Sequence, residues 1–97
     1  MSLDSARPLV PHEARRLIRA ILLEGEVVFT AHALQEMKKD AISQVEVIHV
    51  LRAGTIEPAE FERGSWRYRI RANQVYAVVA FRSEVSALVV TAWRTTP

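Results

Sequence analysis

The hydrophobic period of this chain changes once, at Gly54. Before that glycine, apolar residues recur every three to four positions, the spacing of one buried helix stripe. After it they alternate every second position, the spacing of a strand with one buried face. A chain that is helical first and extended afterwards folds as an α+β domain, with its helices segregated to one face of a sheet. With 97 residues and 49% apolar content, there is enough material for one core and too little for two. Residues 1–10 carry no period and read as a loose N-terminal arm, and residues 11–97 read as a single domain.

Local signals set the expected elements. Pro11 suits the first turn of a helix, and Ala14, Leu17, Ile18, Ile21 and Leu22 form its buried stripe. Arg15, Arg16 and Arg19 fall on the other side, and Gly25 stands where the helix ends. Residues 26–29 read as a short extended link. Thr30 is the expected N-cap of a second helix through Lys39, with Leu34 and Met37 turned inward. Ser43-Gln44-Val45-Glu46 is a capping box with Ile42 and Val47 as its hydrophobic staple. The third helix is expected to bury Val45, Ile48 and Leu51, widened by Val47 and Val50, and to stop at Gly54. Pro58 marks residues 55–62 as irregular or an edge strand. Three runs then follow with tight connections, residues 65–72, 75–82 and 87–94. They predict an antiparallel meander within a twisted antiparallel sheet.

Composition narrows the function classes. The absence of cysteine removes thiol nucleophiles, thiolate metal sites and disulfides, and fits a cytoplasmic protein. No apolar run reaches the roughly 20 residues of a membrane helix, so no membrane partner is expected. No two histidines stand four apart beside a carboxylate, and no Gly-rich phosphate loop or nucleophilic serine motif occurs. No metal and no cofactor are therefore expected.

Charge is unevenly placed. Residues 1–62 carry a net −3, whereas residues 63–97 carry a net +5, with six arginines against the single acid Glu84. In the run 65–72, Trp66, Tyr68 and Ile70 alternate with Arg67, Arg69 and Arg71, which puts the three arginines on one face in a line about 13 Å long. Together with Arg63 and Arg82 they are candidate phosphate-binding residues, because the guanidinium fork suits phosphate and like charges in a row are favourable only beside an anion. The plainer alternative is a solvated face whose arginines pair with Glu57, Glu60 and Glu62. His32, at the first turn of a helix, is a candidate acid–base group, or else a histidine that packs that helix. His12 and His49 are weaker candidates. Tyr76 and Arg94 could bind and protonate around a phosphate, or serve the fold alone.

One set of residues carries a resemblance. His32-Ala33-Leu34-x-x-Met37, Ile42-Ser43-x-x-x-Val47, Gly54 and the closing Thr91-Ala92-Trp93-Arg94 resemble a family of small bacterial proteins known only as a domain of unknown function, which looks related to MqsR and the RelE-type toxins. Gly25, Val28 and Thr30, and then Gln74-Val75-Tyr76, fit the MqsR arrangement as well. The resemblance covers about residues 12–95. It implies a RelE/MqsR-like fold and a metal-independent endoribonuclease acting on single-stranded or ribosome-associated RNA, the toxin of a toxin–antitoxin pair silenced by a cognate antitoxin. It implies catalytic roles for Tyr76 and Arg94. The family's lysine ahead of the meander has no counterpart in residues 55–62, and its glutamine is replaced at best by Arg63 or Arg67. The alternative is a non-catalytic RNA- or protein-binding module of the same fold.

Overall fold

Where each helix stops is decided by backbone contacts. At Gly54 a Cβ would lie 2.6 Å from the Val50 carbonyl oxygen, 2.7 Å from that of Arg71 and 2.9 Å from Ile70 Cγ2. Only glycine lets the end of the third helix rest directly on the first meander strand. The computed structural model describes residues 7–95. Their order is α1 (Pro11–Glu24), β1 (Glu26–Phe29), α2 (Ala31–Lys39), α3 (Gln44–Ala53), β2 (Thr55–Ile56), β3 (Glu60–Glu62), β4 (Ser65–Ala72), β5 (Val75–Ser83) and β6 (Ser86–Arg94). The fold is α+β, as the change of period predicts.

The sheet runs β1-β6-β5-β4-β2, with β3 also paired to β4. The meander β4-β5-β6 is antiparallel. At one edge β1 lies parallel to β6, so the sheet is mixed and not antiparallel throughout. The extended link of residues 26–29 is a true strand, in register with β6 from Glu26–Ser86 to Phe29–Val89, and the long connection through α2, α3 and the meander lets the two run parallel. Pro58 falls in the gap between β2 and β3, both of which pair with β4. The turn at Asn73 and Gln74 has φ of 50° and 69°, the left-handed pair that matches strand twist in a two-residue hairpin.

Ile18, Ile21, Val47, Leu51, Ile70, Val79 and Val89 are the largest fully buried side chains, and they join the helices to the inner face of the sheet. Tyr68 and Ile70 point inward as expected, whereas Trp66 is half-buried at the rim, edge-to-face with Phe61 at 5.0 Å. Two helical phases differ from expectation. In α2, Ala33 and Met37 are buried while Leu34 is 42% exposed, and in α3, Val47, Val50 and Leu51 are buried while Val45 is 78% exposed. Each stripe contained more apolar residues than one contact face accepts, and the sheet chose among them. In α3 the staple residues Ile42 and Val47 are both buried, which sets the rotation.

Arg15 also departs from its expected solvent side. Its Nη1 donates to the carbonyls of Leu51 and Arg52, both at 2.8 Å, and its Nη2 to that of Gly54. These are orphan acceptors of the α3 C-terminus. Burial, then nearby Arg19, lowers the Arg15 pKa, so the clamp is made against a desolvation cost. The arm expected over residues 1–10 lies outside the described residues through position 6. Beyond that, the Leu9 N–H donates to Tyr68 Oη at 2.8 Å, and burial is the main cause raising the pKa of that phenol. Among the described residues, no helix is long and apolar enough to cross a membrane.

Replacing Ile70 by Ala should cost about 2–5 kcal/mol in urea denaturation, because the cavity opens at the centre of the core. Trp66→Ala should cost less, since its ring sits at the rim. Equal losses would contradict the placement of the two side chains.

Candidate functional site

Strand pairing fixes which side chains share the outer face, because residues paired across antiparallel strands point the same way. Arg71 pairs with Tyr76 and Tyr76 with Trp93, while Arg69 pairs with Val78 and Val78 with Thr91. On the inner face Val79 pairs with Val89. The pairings shift by one residue between Thr91 and Val89, so Val90 is an extra residue in β6, a β-bulge. Strict alternation would put Thr91 and Trp93 on the same face as Val89, in the core. The bulge reverses them, and they join the arginines.

A cleft of about 720 Å³ lies on this outer face. One wall is Thr30 and His32, the opposite wall is Glu62, Arg63, Arg67 and Arg69, and the floor is Val78, Val90, Thr91 and Trp93. The first wall is built by the cap of α2. Thr30 Oγ1 accepts from the Ala33 N–H at 2.9 Å and donates to the Val90 carbonyl at 3.0 Å, so the helix start is tied to the bulge. His32 is exposed in that first turn. The second wall comes from the β3–β4 hairpin, whose turn residues Arg63 and Gly64 have φ of 50° and 83°. Gly64 takes its value without strain.

The arginines fall into two groups. Arg69 reaches Glu57 at 3.8 Å and Glu60 at 3.5 Å, and Arg71 reaches Glu57 at 3.3 Å. For these two the ion-pair alternative holds, though exposed pairs of this kind contribute little stability. Arg67 Nε donates to Ser65 Oγ at 3.1 Å. Among the described residues, neither Arg63 nor Arg67 has a carboxylate within ion-pair distance. The Arg69 guanidinium also stands over the Trp93 ring at 5.9 Å, within cation–π range, with its buried Nε unpartnered. Arg71 and Arg82 do not line the cleft.

Of the three residues expected to be catalytic, only His32 lines the cleft. Tyr76 stacks flat on Trp93, with centroids 5.1 Å apart and planes 1° from parallel, and so acts on the cleft through that ring. Arg94 pairs with Val75, an inward residue, and faces the helix layer. Its backbone N–H donates to Asp40 Oδ2 at 2.8 Å, its Nε to the Asp40 carbonyl at 3.3 Å, and its Nη2 to the Ala41 carbonyl at 3.2 Å and Glu46 Oε2 at 3.1 Å. It clamps the α2–α3 turn to the end of β6. Among the lining residues that were not candidates, Trp93 and Glu62 bear most on the chemistry. Trp93 carried no signal without the bulge, and Glu62 appeared only as a possible partner for an arginine.

The segment from residue 29 to residue 94 matches the family model described as a domain of unknown function, DUF4258. The chain belongs to that family. The match takes in every residue lining the DUF4258 cleft and leaves α1, with its Arg15 clamp, outside. No curated protein and no solved structure matches the chain.

Arg94→Ala should lower the melting temperature without altering the cleft. The Glu46 carboxyl is held below its ordinary pKa, first by the Ser43 N–H and then by Arg94. A depressed carboxyl contributes its stability above its unfolded pKa and loses it as pH falls through the folded one. The gap between wild type and Arg94→Ala should therefore narrow in acid, measured by thermal melts across pH. A gap unchanged by pH would count against the clamp.

Proposed function

We propose that this protein is a metal-independent endoribonuclease that takes single-stranded RNA into the outer-face cleft, as the toxin component of a toxin–antitoxin pair related to the RelE and MqsR type. The observation that carries the RNase reading is the opposition of His32 to Arg63, Arg67 and Arg69 across an aromatic-floored cleft. RNA needs those three things together. Guanidinium groups hold the phosphate and offset the charge of the pentacoordinate state. The half-buried Trp93 indole in the cleft floor offers a stacking surface to an unpaired base, and Tyr76 stiffens it from one side. An imidazole within reach of the phosphate moves protons, and the ribose 2′-hydroxyl serves as the nucleophile. On this reading proton donation falls to His32, the ring that lines the cleft, rather than to Tyr76, and phosphate binding to Arg63, Arg67 and Arg69 rather than to Arg94. The toxin assignment rests on the resemblance of the His32–Met37 and Thr91–Arg94 motifs. It carries with it a cognate antitoxin as the partner.

A second reading has one observation in its favour. Arg69 and Arg71 are already engaged by Glu57 and Glu60, which weakens the phosphate clamp and suits a module that binds RNA without cutting it. Incubating purified protein with single-stranded RNA in EDTA separates the two. On the leading reading the RNA is cut, and a single deoxyribose 5′ of the cut site abolishes cleavage. His32→Ala should slow cutting by roughly 10²–10⁴-fold. Binding without cutting would establish the module.

Binding itself should fall roughly tenfold or more between low and physiological salt. Changing Arg63 and Arg67 together to Ala should flatten that dependence, and Trp93→Ala should cost roughly 1–3 kcal/mol of affinity, read by fluorescence anisotropy with labelled RNA. Affinity insensitive to all three would place RNA elsewhere.

A further inference from the structure

Three glutamates stand between α3 and the meander, and their positions differ in one consequential way. Glu57 and Glu60 are engaged with Arg69 and Arg71. Glu62 pairs across the hairpin with Ser65, two residues along from the Glu60–Arg67 pair, so its side chain also lies on the outer face. It is the acid of the cleft lining. Among the described residues it makes no ion pair, although Arg63, Arg67 and Arg69 line the same cleft. Its carboxylate therefore remains available, on the wall facing His32.

We propose that Glu62 is the general base of RNA cleavage and His32 the general acid, an assignment that rests on the endoribonuclease reading above. In-line displacement at phosphorus puts the entering and leaving oxygens on opposite sides, so the two proton-transfer groups must come from opposite walls, as these do. An ionised carboxylate can only accept, which fits Glu62 to the base role, and an imidazole that carries a second proton can donate it, which fits His32 to the acid role. Glu62 takes the proton from the 2′-hydroxyl as the O2′–P bond forms. The P–O5′ bond breaks and His32 gives its proton to O5′. The products are a 2′,3′-cyclic phosphate and a 5′-hydroxyl, with Glu62 protonated and His32 neutral until they exchange protons with water. The three arginines offset the charge on the phosphorane oxygens.

The test uses the intact protein and an oligoribonucleotide containing a cut site mapped on longer single-stranded RNA. The charged groups facing Glu62 are Arg63 on its turn, Arg67 and Arg69 on β4, and His32 across the cleft. Glu36 stands one turn along α2 from His32. Rate against pH should be bell-shaped. Glu62→Gln should slow cleavage roughly 10²–10⁴-fold and remove the acidic limb, while His32→Gln should remove the alkaline limb. Glu62→Asp should keep the acidic limb at a reduced rate, and circular dichroism verifies that each variant folds. A substrate with sulfur at the 5′-bridging position, a leaving group that needs no proton, should rescue His32→Gln and leave Glu62→Gln slow. An acidic limb that survives in Glu62→Gln, or rescue of that variant by the sulfur substrate, overturns the assignment while leaving RNA cleavage intact. Wild-type protein that cuts no RNA overturns the endoribonuclease reading and the assignment together.

Discussion

The two layers of this protein are joined at the Val90 bulge. The extra residue breaks the hydrogen-bond ladder of β6, and its carbonyl needs a donor from elsewhere. Thr30 supplies it while the same hydroxyl oxygen accepts from the first turn of α2. One side chain thus satisfies the sheet defect and starts the helix. The consequences run in both directions. The reversal of β6 below the bulge buries Ala92 and turns Thr91 and Trp93 outward, and the fixed start of α2 places His32 beside them. The cleft exists because a β-bulge and a helix cap meet at one hydroxyl.

Arginine does two kinds of work here. Arg15 and Arg94 are spent on backbone carbonyls at helix ends, where a fork of donors satisfies several acceptors at once. Arg63 and Arg67, on the hairpin, make no such contacts among the described residues and line the cleft instead. Both kinds look alike in a composition count. What separates them is whether orphan carbonyls lie within reach, and that depends on where helices end against the sheet. The basic bias of residues 63–97 is therefore divided between a clamp on the helix layer and the wall of the cleft.

The DUF4258 match and the cleft agree in extent, since residues 29–94 include both walls and the floor. The helix α1 lies before the matched segment, yet Arg15 anchors the end of α3 and Leu17 and Ile21 pack with Ala87. In this protein α1 closes the inner face of the sheet, and the outer face carries the candidate chemistry. Mutations on the two faces should thus separate into effects on folding and effects on the cleft.

Much was legible from residue order alone. The capping box at Ser43 and Glu46, the Thr30 cap, the stops at Gly25 and Gly54, the broken edge at Pro58 and the inward Tyr68 and Ile70 all depend on interactions within a few residues, so local pattern suffices to find them. The place of His32 in the first turn of α2 and the outward facing of the arginines were legible on the same grounds. Leu34 and Val45 were misplaced because a stripe with surplus apolar residues has more than one acceptable rotation, and only contact with the sheet selects it. Trp93, Arg94 and Glu62 depended on partners far along the chain. Alternation predicts facing only while register is kept, and the single-residue shift at Val90 is a property of two paired strands, which neither strand's sequence states. Local hydrogen bonding and period determined the elements; long-range pairing decided which side chains met in the cleft.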